Sequence, residues 1–110
     1  MAQIKTIEQL TAIIPDMGPT AAAKILDHLD DQALGFIVRS PFMLLATEGP
    51  QGLEISPKGD DAGFAHVLDD KTLLLPERPG NHLKMGLRNI LANGRIGLLF
   101  LCPPTGDALR

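Results

Sequence analysis

Residues 96–101, Ile-Gly-Leu-Leu-Phe-Leu, carry no polar side chain. A strand of that kind is apolar on both faces and has to be covered on both sides. Pro103-Pro104 and six further residues follow it, which is little chain from which to build covering layers. Either a second subunit covers this strand, or the chain has been cut from something longer.

The rest of the composition narrows the choice. A chain of 110 residues suits one domain, and a hydrophobic content of 45% is enough for a core. That core is aliphatic, because there are four Phe and no Trp or Tyr. Scarce rings argue against single-stranded nucleic-acid platforms and carbohydrate sites. A net charge of −3 with no basic run argues against nucleic acid in general. Cys102 has no second cysteine to pair with, and the scattered His28, His66 and His82 match no zinc-ligand spacing. The start, MAQIKTIEQL, lacks the apolar core of a signal peptide, and no apolar stretch approaches the ~20 residues that span a membrane. The expectation is a cytoplasmic protein without membrane or nucleic-acid partners.

Along the chain the pattern is helical first and strand-like afterwards. Thr6 with Gln9 resembles a capping box for a helix over 6–14, with Ile7, Leu10, Ile13 and Ile14 on one face and Pro15 as its stop. Pro19 opens a second helix, expected over 19–29. Asp31 is the expected cap of a third, carrying Leu34, Ile37 and Val38 and ending at Ser40-Pro41. Strands are then expected at 42–47, 53–56, 64–68 and 72–75, with turn chemistry at 48–52, a loop at 57–61 and a turn at Asp69-Asp70. After the stiff loop 76–80, a helix is expected over 81–92. Leu83, Leu87, Ile90 and Leu91 form its apolar stripe, and Asn93-Gly94 stops it.

No hydrolytic triad, dinucleotide fingerprint or P-loop is visible, and no catalytic residue stands out. The three histidines read as surface residues, and Asp60-Asp61 and Asp69-Asp70 as turns. Basic residues gather around the start of the 81–92 helix: Arg78 just before it, then Lys84 and Arg88 on one face. Cations at a helix N-terminus are unfavourable unless an anion is bound there, and free N–H groups make that end a natural phosphate site. Lys58 reaches the same place if strands 53–56 and 72–75 are neighbours. The competing reading is a solvated basic face.

Four segments then fall in a familiar order: Ile55-Ser56-Pro57-Lys58-Gly59-Asp60, Leu73 to Asn81 through Pro76-Glu77-Arg78-Pro79-Gly80, Leu87-Arg88-Asn89-Ile90-Leu91, and Arg95 to Leu101. With Phe36 to Phe42 before them, they resemble the pyridoxamine 5′-phosphate oxidase-related, FMN-binding family over roughly 30–110. The resemblance implies an α+β fold built on an antiparallel split β-barrel, with N-terminal helices and one helix before the last strand. It also implies a homodimer with FMN in a cleft at the subunit interface. An N-terminal helical segment over 1–40 and a partial split-barrel domain over 41–110 are expected. Family members run on past the strand at 95–101 into another starting near Leu109-Arg110, so the chain is expected to be C-terminally truncated relative to them.

By the same resemblance, Ser56, Pro57 and Lys58 lie against the flavin, and Arg78, Asn81 and Lys84 lie toward its phosphate. Relatives often carry arginine two residues after Pro-Gly-Asn; here that place is Leu83, and Lys84 follows. Either Lys84 substitutes for it, or the phosphate rests mainly on Lys58 and Arg78. The implied activity is flavin-dependent oxidation or reduction of an unidentified small molecule. The alternative is a non-catalytic flavin-binding or dimerisation module.

Overall fold

The structure is a computed structural model that describes residues 3–77 and 85–110. Its elements are α1 (Ile7–Ile13), α2 (Pro19–Ala22), α3 (Asp31–Arg39), β1 (Phe42–Gly49), β2 (Gly52–Gly59), β3 (His66–Asp69), β4 (Thr72–Leu74), α4 (Met85–Asn93), β5 (Ile96–Cys102) and β6 (Asp107–Leu109).

Side-chain caps explain where α1 and α3 start. The Thr6 side chain accepts from the Gln9 N–H at 3.1 Å, and the Gln9 side chain accepts from the Lys5 N–H at 2.7 Å. The apolar face of α1 is present, yet Ile7, Leu10, Ile13 and Ile14 are all exposed and the helix buries nothing. The second helix is far shorter than 19–29. Asp30, not Asp31, caps α3 by accepting from the Ala33 N–H at 2.8 Å, and a cap needs extended backbone. The Leu29 N–H is meanwhile donated to the Asp70 carbonyl at 2.6 Å. Both ties hold residues 29 and 30 out of helix; α2 itself has already ended at Ala22, after which the Lys24 and Ile25 N–H groups donate to the Ala21 and Ala22 carbonyls. Within this stretch His28 hydrogen-bonds Asp27 at 2.9 Å, and that bond, with the adjacent charge, holds the Asp27 carboxyl below its ordinary value.

The β1–β2 hairpin turns over Pro50-Gln51, helped by Gly52 at φ +113°, a backbone region that favours glycine. Residues 57–59, expected in a loop, continue β2, with Pro57 opposite Leu44 and Gly59 opposite Phe42. Proline is tolerated there because β2 is an edge strand. Asp69 does make a turn: its carboxylate accepts from the Lys71 N–H at 2.8 Å.

The strands form one antiparallel sheet in the order β2-β1-β5-β6, and β3 and β4 pair separately. This is a mixed α+β fold with antiparallel sheets, but the expected barrel is not closed among the described residues. Four strands in a row leave β2 and β6 as edges, and the β3–β4 ladder joins neither, so no strand completes the circle. A second correction concerns order. β6 pairs with β5, so α4 precedes the penultimate strand of the described residues and not the last.

Cross-strand partners share a face, and this sorts the sheet. On the inner face lie Met43, Leu45 and Thr47 of β1, opposite Lys58, Ser56 and Glu54 of β2 and Phe100, Leu98 and Ile96 of β5. Met43, Leu45 and Phe100 join Ile37 of α3 and Ala65 in the buried cluster, and Phe64, Leu73 and Ile90 pack around it. The outer face carries Leu44, Ala46, Leu53, Ile55, Pro57, Gly97 and Leu99. Leu53 and Ile55 are 80% and 65% exposed. The expected double-sided burial of the 96–101 strand is met at Phe100 alone: on the same inner face Leu98 is half-buried and Ile96 is exposed, and Leu99 and Leu101 on the outer face are half-exposed.

Candidate functional site

The site begins at the end of β2. Strand alternation divides the three residues expected there. Ser56 and Lys58 occupy inner-face positions opposite Leu45 and Met43, and both are half-buried. Pro57 lies opposite Leu44, on the outer face, and is exposed. Ser56 and Lys58 thus share the inner face, and Pro57, though on the other, borders the same cleft as Lys58. Arg78, Asn81 and Lys84 lie outside the described residues, as do His82 and the start of the helix expected at 81.

The condition set for Lys58 is not met as stated, since β2 pairs with β1 alone and β4 with β3 alone. The chain after β4 nevertheless comes to the end of β2. The Lys58 ammonium donates to the Glu77 carboxylate at 2.8 Å. Around this pair lies a cleft of about 190 Å³, with Pro57, Gly59, Asp60, Phe64 and Pro76 in its walls. Glu77 immediately precedes Arg78, so the described structure brings Lys58 to the doorstep of the basic segment.

Helix α4 is fixed to the same inner face by groups the sequence reading did not select. Its expected stripe is wrong in part: Leu91 is 88% exposed, Leu87 is also exposed, and Asn89 is buried. The Asn89 side-chain amide donates to the Thr47 hydroxyl at 3.0 Å. One turn later, the Asn93 amide donates to the Glu48 carbonyl at 2.7 Å. The Asn89 side chain fits because Gly49 has no Cβ; a methyl group there would overlap it. Gly94, at φ +68°, then ends the helix, its N–H donated to the Ile90 carbonyl at 2.7 Å. The available signal was the i, i+4 spacing of Asn89 and Asn93.

Among the described residues no group of three His, Cys, Asp or Glu side chains is placed to hold a metal ion, and no helix is long and apolar enough to cross a membrane. Searches of curated proteins and of solved structures find no match. The family model for pyridoxamine 5′-phosphate oxidase matches residues 29–107, a stretch that runs from just before α3 to the start of β6 and includes the whole inner face. The chain belongs to the pyridoxamine 5′-phosphate oxidase family.

Proposed function

We propose that the chain is an FMN-binding, split-barrel flavoprotein of the cytoplasm that oxidises or reduces a small molecule as a homodimer. The observation that carries this reading is the half-buried Lys58, beside Ser56 on one face of an edge strand and next to the segment that continues into Arg78. The donors suit the cofactor once Glu77 gives way: the Lys58 ammonium, and the Ser56 hydroxyl on the same face of β2, can supply hydrogen bonds to phosphate or to carbonyl oxygens of the ring. Asn81 and Lys84 are assigned to the phosphate with Arg78. A bound flavin supplies the hydride or electron transfer, while the protein orients it and tunes its surroundings. The same proposal divides the chain into a helical segment over 1–40 and a partial split-barrel domain over 41–110, with Ile37 tying the first to the core of the second.

The test is purified protein. Yellow protein that bleaches with a reduced nicotinamide donor supports the oxidoreductase. Protein that stays colourless with added FMN supports a structural module instead. Lys58→Met, which keeps much of the aliphatic stem, refines the assignment. If the ammonium lies beside the ring, the midpoint potential of the bound flavin falls in the variant. If it lies at the phosphate, affinity falls and the potential hardly moves. No change in either removes Lys58 from the site.

The outer face supports the dimer. Leu53 and Ile55, 80% and 65% exposed, share this face with Leu44, Ala46, Gly97 and Leu99, an apolar set of the kind that an interface covers. Light scattering at micromolar concentration is expected to give twice the chain mass, with β5 at or near the interface. A stable, folded monomer would count against it.

A further inference from the structure

We propose that Glu77 competes with a phosphate monoester for the Lys58 ammonium, and so sets how tightly the site holds an anionic ligand. This rests on the FMN reading above and adds a residue that works against it. Lys58 and Glu77 are 2.8 Å apart, with side chains 25% and 48% exposed. They share one cleft, and Asp60 lines it too, its carboxylate accepting from the Asp61 N–H at 2.9 Å. The Glu77 carboxylate neutralises the ammonium where it stands, which disfavours a phosphate there until Glu77 lets go.

Letting go is easy. An ion pair this exposed is weakly held, because water screens it and two long side chains must be kept in one geometry. Pro76 restrains the backbone before Glu77, but the carboxylate itself is on a flexible stem and has solvent to swing into. The Lys58 ammonium has three donors and a half-buried stem anchored on an edge strand, so it stays while its partner changes. A phosphate oxygen can take the place of the Glu77 oxygen without any movement of the sheet.

FMN and riboflavin titrations of the wild type, Glu77→Gln, Lys58→Met and the double variant test this. Glu77→Gln keeps the side-chain shape and removes the charge. It is expected to tighten FMN about twofold to fivefold, the free-energy range of an exposed ion pair expressed as affinity. Riboflavin, which lacks the phosphate, should be unaffected, and the gain should vanish when Lys58 is already methionine. An unchanged FMN affinity in Glu77→Gln overturns the proposal. So does a gain that persists without Lys58, which would be simple repulsion, or one shared equally by riboflavin. Wild-type and Glu77→Gln proteins that both fold, by circular dichroism, and both fail to bind FMN would sink the FMN reading itself and this proposal with it.

Discussion

Replacing Arg78 by alanine is expected to weaken FMN binding about tenfold to a hundredfold, and riboflavin binding far less. The size follows from a charge-assisted hydrogen bond, worth about 1.5–3 kcal/mol. Arg78 lies outside the described residues, so its place in the sequence carries the expectation. It follows Glu77 directly and stands between two prolines, in Pro76-Glu77-Arg78-Pro79-Gly80-Asn81. Glu77 in turn lies 2.8 Å from Lys58, which puts an ammonium close to the chain entering that segment. A guanidinium suits a phosphate better than an ammonium does, since its planar fork offers two parallel donors. Fluorescence titration of both ligands reads the difference. Equal weakening of FMN and riboflavin would assign Arg78 to the fold and take it out of the phosphate site.

Elements whose signal is local were legible. The caps at Thr6 and the stop at Gly94 are written in a few neighbouring residues, and so is the turn at Asp69. What escaped was decided by residues far away in sequence. The last residues of the expected second helix lie outside it in part because the Leu29 N–H is taken by Asp70. Strand β2 runs through Pro57 because β1 offers it a ladder as far as Gly59, and an edge position tolerates the missing donor. The apolar stripe expected on α4 was outweighed by a polar pair, as Asn89 found a hydroxyl on β1 and Leu91 was left in water. Barrel closure was beyond reach for the same reason, since pairing partners for the edges of β2 and β6 are not encoded locally.

The site shows the same division. Lys58 could be chosen because it follows a proline at the end of an alternating run. Its partner Glu77 is 19 residues away and looked like part of a stiff loop. Strand alternation alone puts Ser56 and Lys58 on one face of β2 and Pro57 on the other, which a loop over 57–61 would not. The family resemblance supplied the order of the segments. The pairing of Lys58 with Glu77, and hence the acidic side of the cleft, came only from the fold.

The fixing of α4 to β1 leads to the second large effect: Gly49→Ala is expected to destabilise the protein by about 1–3 kcal/mol, the usual cost of a disrupted buried hydrogen bond or of an overpacked core. Asn89 and Thr47 are 6% and 4% exposed, so neither can replace the other with water at no cost. The Asn89 amide occupies the space where a Cβ on residue 49 would stand. An added methyl group must either expel that amide from Thr47 or bend the end of β1. Bending is resisted because Gly49 pairs with Gly52 across a two-residue turn. Gly97→Ala is the comparison: within the chain its new Cβ would meet Ala46 at 3.7 Å, an ordinary contact, so any loss there reads the outer face proposed for the dimer and not the seat of α4. Urea unfolding should therefore separate the two alanine variants clearly. Asn89→Ala should cost much less in the Gly49→Ala background than in the wild type, since both changes break one contact. Additive losses would mean that Gly49 matters to the hairpin and not to the helix. FMN binding should fall with Gly49→Ala as well, because α4 continues from the segment holding Asn81 and Lys84 and its seat on the sheet is what that glycine keeps open.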